Sequence, residues 1–171
     1  KVSSTVTKQG FPLAWQTPTG AYVSQNYEAF NTKRVTTHID GVLIKPSVRE
    51  TIEGKLDRRR SVNGSSPNFI HSLDASAMTK TINLCRQRGL TDFCMIHDSY
   101  AVHAGELSNG ENCTDLLFAS LREAFVDMYV NNNPLNDLRD CVQEVVKDIP
   151  EPPAFGALDI EQVKESEFFF S

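Results

Sequence analysis

Apolar residues in the first third of the chain form short runs that are typical of β-strands. Two of these runs, at 11–17 and 21–27, are separated by a proline and a glycine, which predicts a β-hairpin. A second hairpin is predicted at 33–46, because Asp40-Gly41 lies between β-branched runs and is the strongest short signal for a tight hairpin turn. The amino-terminal part should therefore be built from hairpins.

From about residue 67 onward, apolar residues recur mainly with the spacing of an α-helix. A helix is predicted to open at Pro67 and to end near Gly89, because proline suits the first helical turn and glycine suits the cap. Further helical stripes cover 111–131 and 135–146, and a short helix is expected at 159–165.

The segment 47–66 has no clear period. It is charged, contains Arg58-Arg59-Arg60 and ends in Ser, Asn and Gly residues, so we predict a loop or mobile linker. The arginines could hold a phosphate, although an exposed charge run is usually only solvated. This linker would close a hairpin-rich part, 1–66, and precede a second part, 67–171.

A third hairpin signal, with unusual turn chemistry, lies further along. Two apolar runs, at 93–96 and 100–102, flank His97-Asp98-Ser99 in place of the glycine that tight turns favour. Ionisable residues at turn positions that favour glycine often mark a functional site. A carboxylate at a rigid, solvent-reachable tip can bind a hard cation through oxygen. The alternative is a surface turn in which Asp98 bonds only to its own backbone.

The composition is sufficient for a substantial apolar core and argues against a zinc site and a membrane-spanning segment. The chain has 171 residues, of which 40% are apolar. Its four cysteines include no Cys-x-x-Cys pair, which argues against zinc and for a reducing compartment. No apolar run has the length that spans a membrane, and the amino terminus lacks the apolar core of a signal peptide. We therefore expect no membrane partner.

Charge is unevenly divided along the chain. Residues 1–60 carry ten Lys and Arg against five Asp and Glu, whereas 61–171 carry seven against seventeen. Such asymmetry is a hint of nucleic-acid contact by the basic half. Arg34 and Lys45 lie at the open end of hairpin 33–46, and a basic ribbon of this kind fits a DNA groove. An ordinary solvated hairpin would carry the same pattern.

Two further places could carry function. His71 and Asp74 share one face of the predicted helix and could both face a substrate, although a capping Asp beside a half-buried His is the commoner arrangement. The carboxyl-terminal Phe168, Phe169 and Phe170 would form an exposed apolar patch unless docked, so we expect this tail to pack against the body.

Three stretches together resemble the single-subunit DNA-directed RNA polymerases of phages, mitochondria and chloroplasts. They are the block PNFIHSLDAS at 67–76, the His97-Asp98-Ser99 hairpin and the Phe-rich end, and the resemblance extends over about 11–171. It implies an α+β fold, namely the C-terminal palm and fingers part of a right-hand polymerase, with helices around a catalytic β-hairpin.

The resemblance also implies roles for particular residues. Asp98 would be one of two palm aspartates that hold two magnesium ions for nucleotidyl transfer, and the second aspartate lies outside this sequence. His71 would line the nascent RNA and template. The hairpin 33–46 would correspond to the promoter specificity loop, with Arg34 as the best-placed base reader and Lys45 as a second contact. The tail would dock beside the palm.

The implied partners are template and promoter DNA, nascent RNA, ribonucleoside triphosphates and the missing N-terminal part of the polymerase. The chain alone would be inactive, because one aspartate cannot hold both metals. Its location would be the cytoplasm of an infected host cell if it is phage-encoded, or otherwise a mitochondrion or chloroplast. Two other interpretations are a DNA polymerase of the bacterial repair type, whose hairpin usually ends His-Asp-Glu, and a non-catalytic nucleic-acid-binding lobe.

Overall fold

The computed structural model describes residues 1–166, 168 and 169 and shows a mixture of helices and small antiparallel sheets. This confirms the predicted α+β class. In chain order the elements are α1 (Val2–Lys8), β1 (Leu13–Gln16), β2 (Tyr22–Gln25), β3 (Glu28–Arg34), β4 (Thr37–Ile39), β5 (Val42–Ile44), β6 (Ser47–Leu56), α2 (Arg58–Gln87), β7 (Phe93–Ile96), β8 (Ser99–Val102), α3 (Cys113–Val130), α4 (Pro134–Gln143) and a 3₁₀ helix (Ile160–Glu165).

The strands pair as hairpins, as the turn residues indicate. β1 pairs with β2, and β7 pairs with β8, both antiparallel. β4 and β5 pair around Asp40 and Gly41, whose φ angles of +49° and +80° are those that a type I′ hairpin turn requires. The predicted turn is therefore confirmed.

The hairpin 33–46 is only the outer tier of a longer ribbon. β3 pairs with β6, so that Arg34 lies opposite Ser47, and the N–H of Val35 donates to the carbonyl of Pro46 at 3.0 Å between the two tiers. We call β3, β4, β5 and β6 together the ribbon. Its side chains are mostly exposed, so it projects from the body.

The prediction of a loop over 47–66 is wrong. Residues 47–56 form β6, because strand β3 satisfies their backbone groups, and the following residues form the first turns of α2. Asp57 caps α2 with a side chain that accepts a hydrogen bond from the N–H of Arg60 at 3.0 Å. Pro67 consequently lies inside α2 and does not open it.

The predicted end of α2 near Gly89 is confirmed. The helix stops at Gln87, and Gly89 adopts a φ of +93°, which glycine reaches without steric penalty. Because α2 runs without a break through position 66, no loop separates the two predicted parts of the chain.

The first apolar cluster joins β1 to α2, α3 and α4. Trp15, only 1% exposed, packs edge-on against Phe69 with ring centroids 5.7 Å apart. Its Nε1–H donates to Ser72 Oγ at 3.0 Å, which leaves no polar group of the indole unpaired. The other buried members of this cluster are Val6, Leu13, Leu73, Met128, Val142, Val146 and Ile149.

The second apolar cluster lies between the end of α2 and the start of α3. Cys85 and Cys113 are buried there as free thiols, and burial raises the pKa of the Cys85 thiol, so these cysteines act as small apolar side chains. The other buried members are Leu90, Leu116, Leu117 and Leu121. One face of the β7/β8 hairpin packs on this cluster.

Two ion pairs also hold the C-terminal part of α2 and its cap to α3. Lys80 of α2 pairs with Asp127, and Arg88, the C-cap residue of α2, pairs with Glu123. Hydrogen bonds from Lys80 and Asn131 lower the pKa of the Asp127 carboxyl. The pairing should therefore stabilise the fold above the ordinary pKa of aspartate and be lost as the pH falls below it. Its partial exposure keeps this contribution small.

The tail is only partly buried. Phe169 packs on the second cluster and lies 5.2 Å from Phe125, measured between ring centroids, which confirms the docking expected for it. Phe168 is 84% exposed, so the expectation is wrong there. Phe170 and Ser171 lie outside the described residues. Within the described part, no helix has both the length and the apolar character needed to cross a bilayer.

The start of α2 can be tested by removing its cap. We expect Asp57→Ala to lower the free energy of unfolding by about 1 kcal/mol, because it leaves the N–H of Arg60 without its acceptor. Ser66→Ala is the matched control, since Ser66 would be the cap of a helix that began at Pro67. Urea unfolding followed by circular dichroism measures both, and a larger loss in Ser66→Ala would place the helix start at Pro67.

Candidate active site and nucleic-acid interface

Asp98 occupies the tip of the β7/β8 hairpin. The hairpin register pairs Ile96 with Ser99, which leaves His97 and Asp98 as the two turn residues. His97 adopts a φ of +54°, a left-handed conformation that is uncommon for a residue other than glycine. Such a strained turn persists only when its surroundings hold it in place, and it is found most often at functional sites.

The packing of the hairpin explains why its tip stays exposed. Phe93, Met95, Tyr100 and Val102 lie on one face and pack on the second apolar cluster, whereas the alternate residues of both strands face solvent. The buried face fixes the hairpin on α3, and the turn extends beyond it. Asp98 is thus an exposed carboxylate on a rigid support.

An open cleft of about 430 Å³ lies beside this tip, between β8 and α3. Its lining includes the polar residues Asp98 and Ser99 and the apolar residues Leu117, Phe118 and Leu121. A ligand that enters the cleft can therefore reach the carboxylate of Asp98.

Asp74 brings a second negative charge to the same region. Burial raises the pKa of Tyr100 on β8, and the charges of Asp74 and Asp98 raise it further. Burial also raises the pKa of Tyr129 on α3, and Asp74 again adds to the effect. The carboxylate of Asp74 therefore lies within electrostatic range of both the hairpin and α3. The suggestion that Asp74 caps a helix is wrong, because α2 begins sixteen residues before it, at Arg58.

His71 lies on α2 one turn before Asp74 and is exposed, not half-buried as the commoner arrangement would have it. Its ring is therefore available to a ligand. Trp15 and Ser72 fix this turn of the helix against β1. In the part of the chain that the structure describes, no hydrogen bond or ion pair joins His71 to Asp98.

The ribbon presents a separate surface. Arg34 is the last residue of β3 and Lys45 follows β5, and both side chains are exposed. Among residues 1–166, 168 and 169, neither side chain forms a hydrogen bond or an ion pair. Beyond them, Ile39, Val42 and Leu43 are more than half exposed around the Asp40-Gly41 turn. No described hydrogen bond or ion pair connects the ribbon to the tip of the β7/β8 hairpin, where Asp98 lies.

The donors present fit part of a magnesium site. Magnesium prefers oxygen ligands and often takes one or two protein carboxylates together with phosphates of the substrate. Asp98 supplies one such carboxylate. The described residues contain no group of three or more His, Cys, Asp or Glu that could hold a metal ion, so further ligands would come from elsewhere.

Sequence reasoning gave no functional role to Tyr100 and Tyr27, two residues that the structure makes prominent, and it did not predict the proximity of Asp74 to Tyr100. Tyr100 lies on the buried face of β8 between Ser99 and Ala101, which face solvent, and this alternation within the strand was a local signal for its inward direction. Asp74 was noticed beside His71, but its proximity to Tyr100 depends on how α2 packs on α3. Tyr27, which contacts α2 at the base of the ribbon, had no local signal.

Comparison with known proteins gives concordant matches over nearly the whole chain. The family model of the DNA-dependent RNA polymerases matches residues 2–149. DNA-directed RNA polymerase 1A of Nicotiana tabacum is 32% identical over 168 residues, which cover 97% of this chain and 99% of that protein.

Two longer relatives match the same region. The mitochondrial DNA-directed RNA polymerase of Homo sapiens is 33% identical over 187 residues, and T7 RNA polymerase of Escherichia phage T7 is 26% identical over 178 residues. The matches cover 97% and 100% of this chain but only 14% and 19% of those proteins. The chain therefore spans a small part of the length of these relatives.

Proposed function

The chain belongs to the family of DNA-dependent RNA polymerases, and on that premise we propose that it is the C-terminal part of a phage-type single-subunit enzyme. The complete enzyme would transcribe DNA into RNA by nucleotidyl transfer. Residues 67–171 would form part of its palm, and residues 1–66 would supply hairpins beside it. The small share of the phage and human relatives that the chain covers supports this assignment to a part.

The observation that carries the proposal is the position of Asp98. A family match alone would leave its site unassigned, but here a carboxylate stands at a strained, supported hairpin tip and borders an open cleft. That arrangement suits the binding of a cation and a phosphorylated substrate at one edge of the protein.

Asp98 would be a ligand of magnesium in the complete enzyme. Two bound ions would lower the pKa of the attacking hydroxyl and would stabilise the negative charge on the transferring phosphoryl group. The second aspartate that holds them would come from the upstream part of the polymerase. The role of Asp98 itself is to present an oxygen donor at a fixed place, because packing of the hairpin on α3 prevents it from moving away.

The exposed face of α2 would contact nucleic acid near that site. His71 can donate a hydrogen bond to a phosphate or a base edge of the template and nascent RNA. Asp74, one turn further, would repel phosphate and so favour a path for the nucleic acid on the His71 side.

The ribbon would enter promoter DNA. A two-stranded β-ribbon fits the major groove, and an arginine can bind guanine through two hydrogen bonds. Arg34 and Lys45 have no partner within the described structure that would have to be displaced. Arg34 is the proposed base reader, and Lys45 the proposed second contact.

The remaining partners follow from the same proposal. They are ribonucleoside triphosphates and the upstream part of the polymerase. The compartment would be the cytoplasm of an infected host cell for a phage enzyme, and a mitochondrion or chloroplast for an organellar one. The family model and the three relatives named above are RNA polymerases, so a repair DNA polymerase and a non-catalytic lobe are not favoured.

The role of Asp98 is tested by Asp98→Asn in the complete polymerase. We expect RNA elongation at saturating magnesium to fall by about a thousandfold, because loss of metal binding removes several kcal/mol of transition-state stabilisation. Promoter binding should remain. Asp92→Asn is the matched control, since Asp92 is an exposed carboxylate at the other end of the same hairpin. Elongation within tenfold of wild type in Asp98→Asn would exclude the assignment.

The role of the ribbon is tested by Arg34→Ala and Lys45→Ala. Loss of a base-reading arginine should weaken promoter-specific initiation by about 1–3 kcal/mol and relax the preference at one base pair. Extension of an RNA primer on a preassembled scaffold, which needs no promoter, should be unchanged. Lys8→Ala, an exposed lysine on α1, is the control. Equal losses in both assays would indicate a folding defect and contradict promoter reading.

A further inference from the structure

The two ends of the ribbon meet at a joint beside the start of α2. Tyr27 immediately precedes β3, and Asp57 immediately follows β6. The N–H of Asp57 donates to the carbonyl of Tyr27 at 2.7 Å, which closes the ribbon at its base. Asp57 is also the cap of α2, so the ribbon and this helix share one junction.

The side chain of Tyr27 lies against one face of α2. Arg60, Gly64 and Asn68 are spaced four residues apart and form this face. The Asn68 amide donates to the phenol oxygen of Tyr27 at 2.9 Å, and the Arg60 guanidinium carbon lies 5.1 Å from the centre of the ring.

The ring occupies the space that a side chain at position 64 would need. A Cβ atom placed on Gly64 would lie 2.8 Å from the phenol oxygen of Tyr27 and 3.0 Å from its Cε2. Glycine within a helix lowers its stability relative to alanine, and Gly64 has no positive φ that would call for glycine. The close approach of the Tyr27 ring explains why glycine is present.

A second hydrogen bond strengthens the same joint. The side-chain amide of Gln25, at the end of β2, donates to the carbonyl of Gly64 at 2.9 Å. Further out, the strands of the ribbon are largely exposed and pack mainly on each other. The direction in which the ribbon leaves the body is therefore determined at its base.

We propose that Tyr27 is a positioning residue, whose ring, seated on Gly64, sets the direction of the ribbon relative to α2. Because α2 also carries His71, the joint fixes the distance between Arg34 and Lys45 on the ribbon and the nucleic-acid face of that helix. The proposal rests on the function proposed above for the ribbon. If the proposal is correct, changes at the joint alter promoter-specific initiation and leave nucleotide addition unaffected.

The test adds one methyl group at the joint of the complete polymerase. Gly64→Ala should lower promoter-specific initiation at least tenfold, through a raised apparent Kd for promoter DNA. Primer extension on a preassembled scaffold should stay within twofold of wild type. Gly156→Ala is the matched control, because a Cβ at Gly156 meets open space and its φ is not positive. Its initiation should equal that of wild type.

A double-variant cycle assigns the effect to the ring. In a Tyr27→Ala background, adding Gly64→Ala should change initiation by less than twofold, because the group that the methyl displaces is absent. Tyr27→Phe adds no atoms and removes only the phenol oxygen that Asn68 contacts, so it should lower initiation severalfold with scaffold extension unchanged. This variant keeps the test valid if Gly64→Ala folds poorly.

Three results would overturn the proposal. They are an equal loss in both assays for Tyr27→Phe, a full additional loss from Gly64→Ala in the Tyr27→Ala background, and unchanged initiation in Gly64→Ala. If Arg34→Ala and Lys45→Ala still impair initiation in these cases, only the positioning role fails. If those two variants also leave initiation unchanged, the function proposed for the ribbon fails with it.

Discussion

The continuity of α2 is the constraint on which the rest of the structure depends. Its 30 residues form a rod of about 45 Å that runs through Pro67, where the sequence suggests a beginning. One end joins the ribbon, the middle packs on Trp15 and carries His71, and the far end reaches the apolar cluster beneath the β7/β8 hairpin. A single rigid element therefore connects the two surfaces that we assign to nucleic acid and to the metal.

Local turn chemistry made several elements predictable from the sequence. Asp40-Gly41 determines its turn whatever surrounds it, because both residues accept the positive φ that the turn needs. The β7/β8 hairpin could be predicted because two short apolar runs flank a polar step of three residues. Asp98 stood out because an ionisable residue occupies a position that favours glycine. Gly89 likewise marked the end of α2.

Elements that depend on distant partners could not be predicted in the same way. β6 contains charged residues and a glycine, and it is a strand because β3 lies beside it. The first turns of α2 contain Gly64 and a run of small polar residues, which favour a loop locally. The ring of Tyr27 and the cap of Asp57 compensate for them. The effect of Asp74 on Tyr100 likewise follows from the packing of α2 on α3.

The central claim is that Asp98 presents an oxygen donor for a divalent cation at a fixed hairpin tip. The most direct measurement is Mn²⁺ binding to the complete polymerase with template, primer and a non-hydrolysable ribonucleoside triphosphate, followed by electron paramagnetic resonance. We expect wild type and Asp92→Asn to bind two ions with equal affinity, and Asp98→Asn to lose at least one. An unchanged binding isotherm in Asp98→Asn would contradict this account.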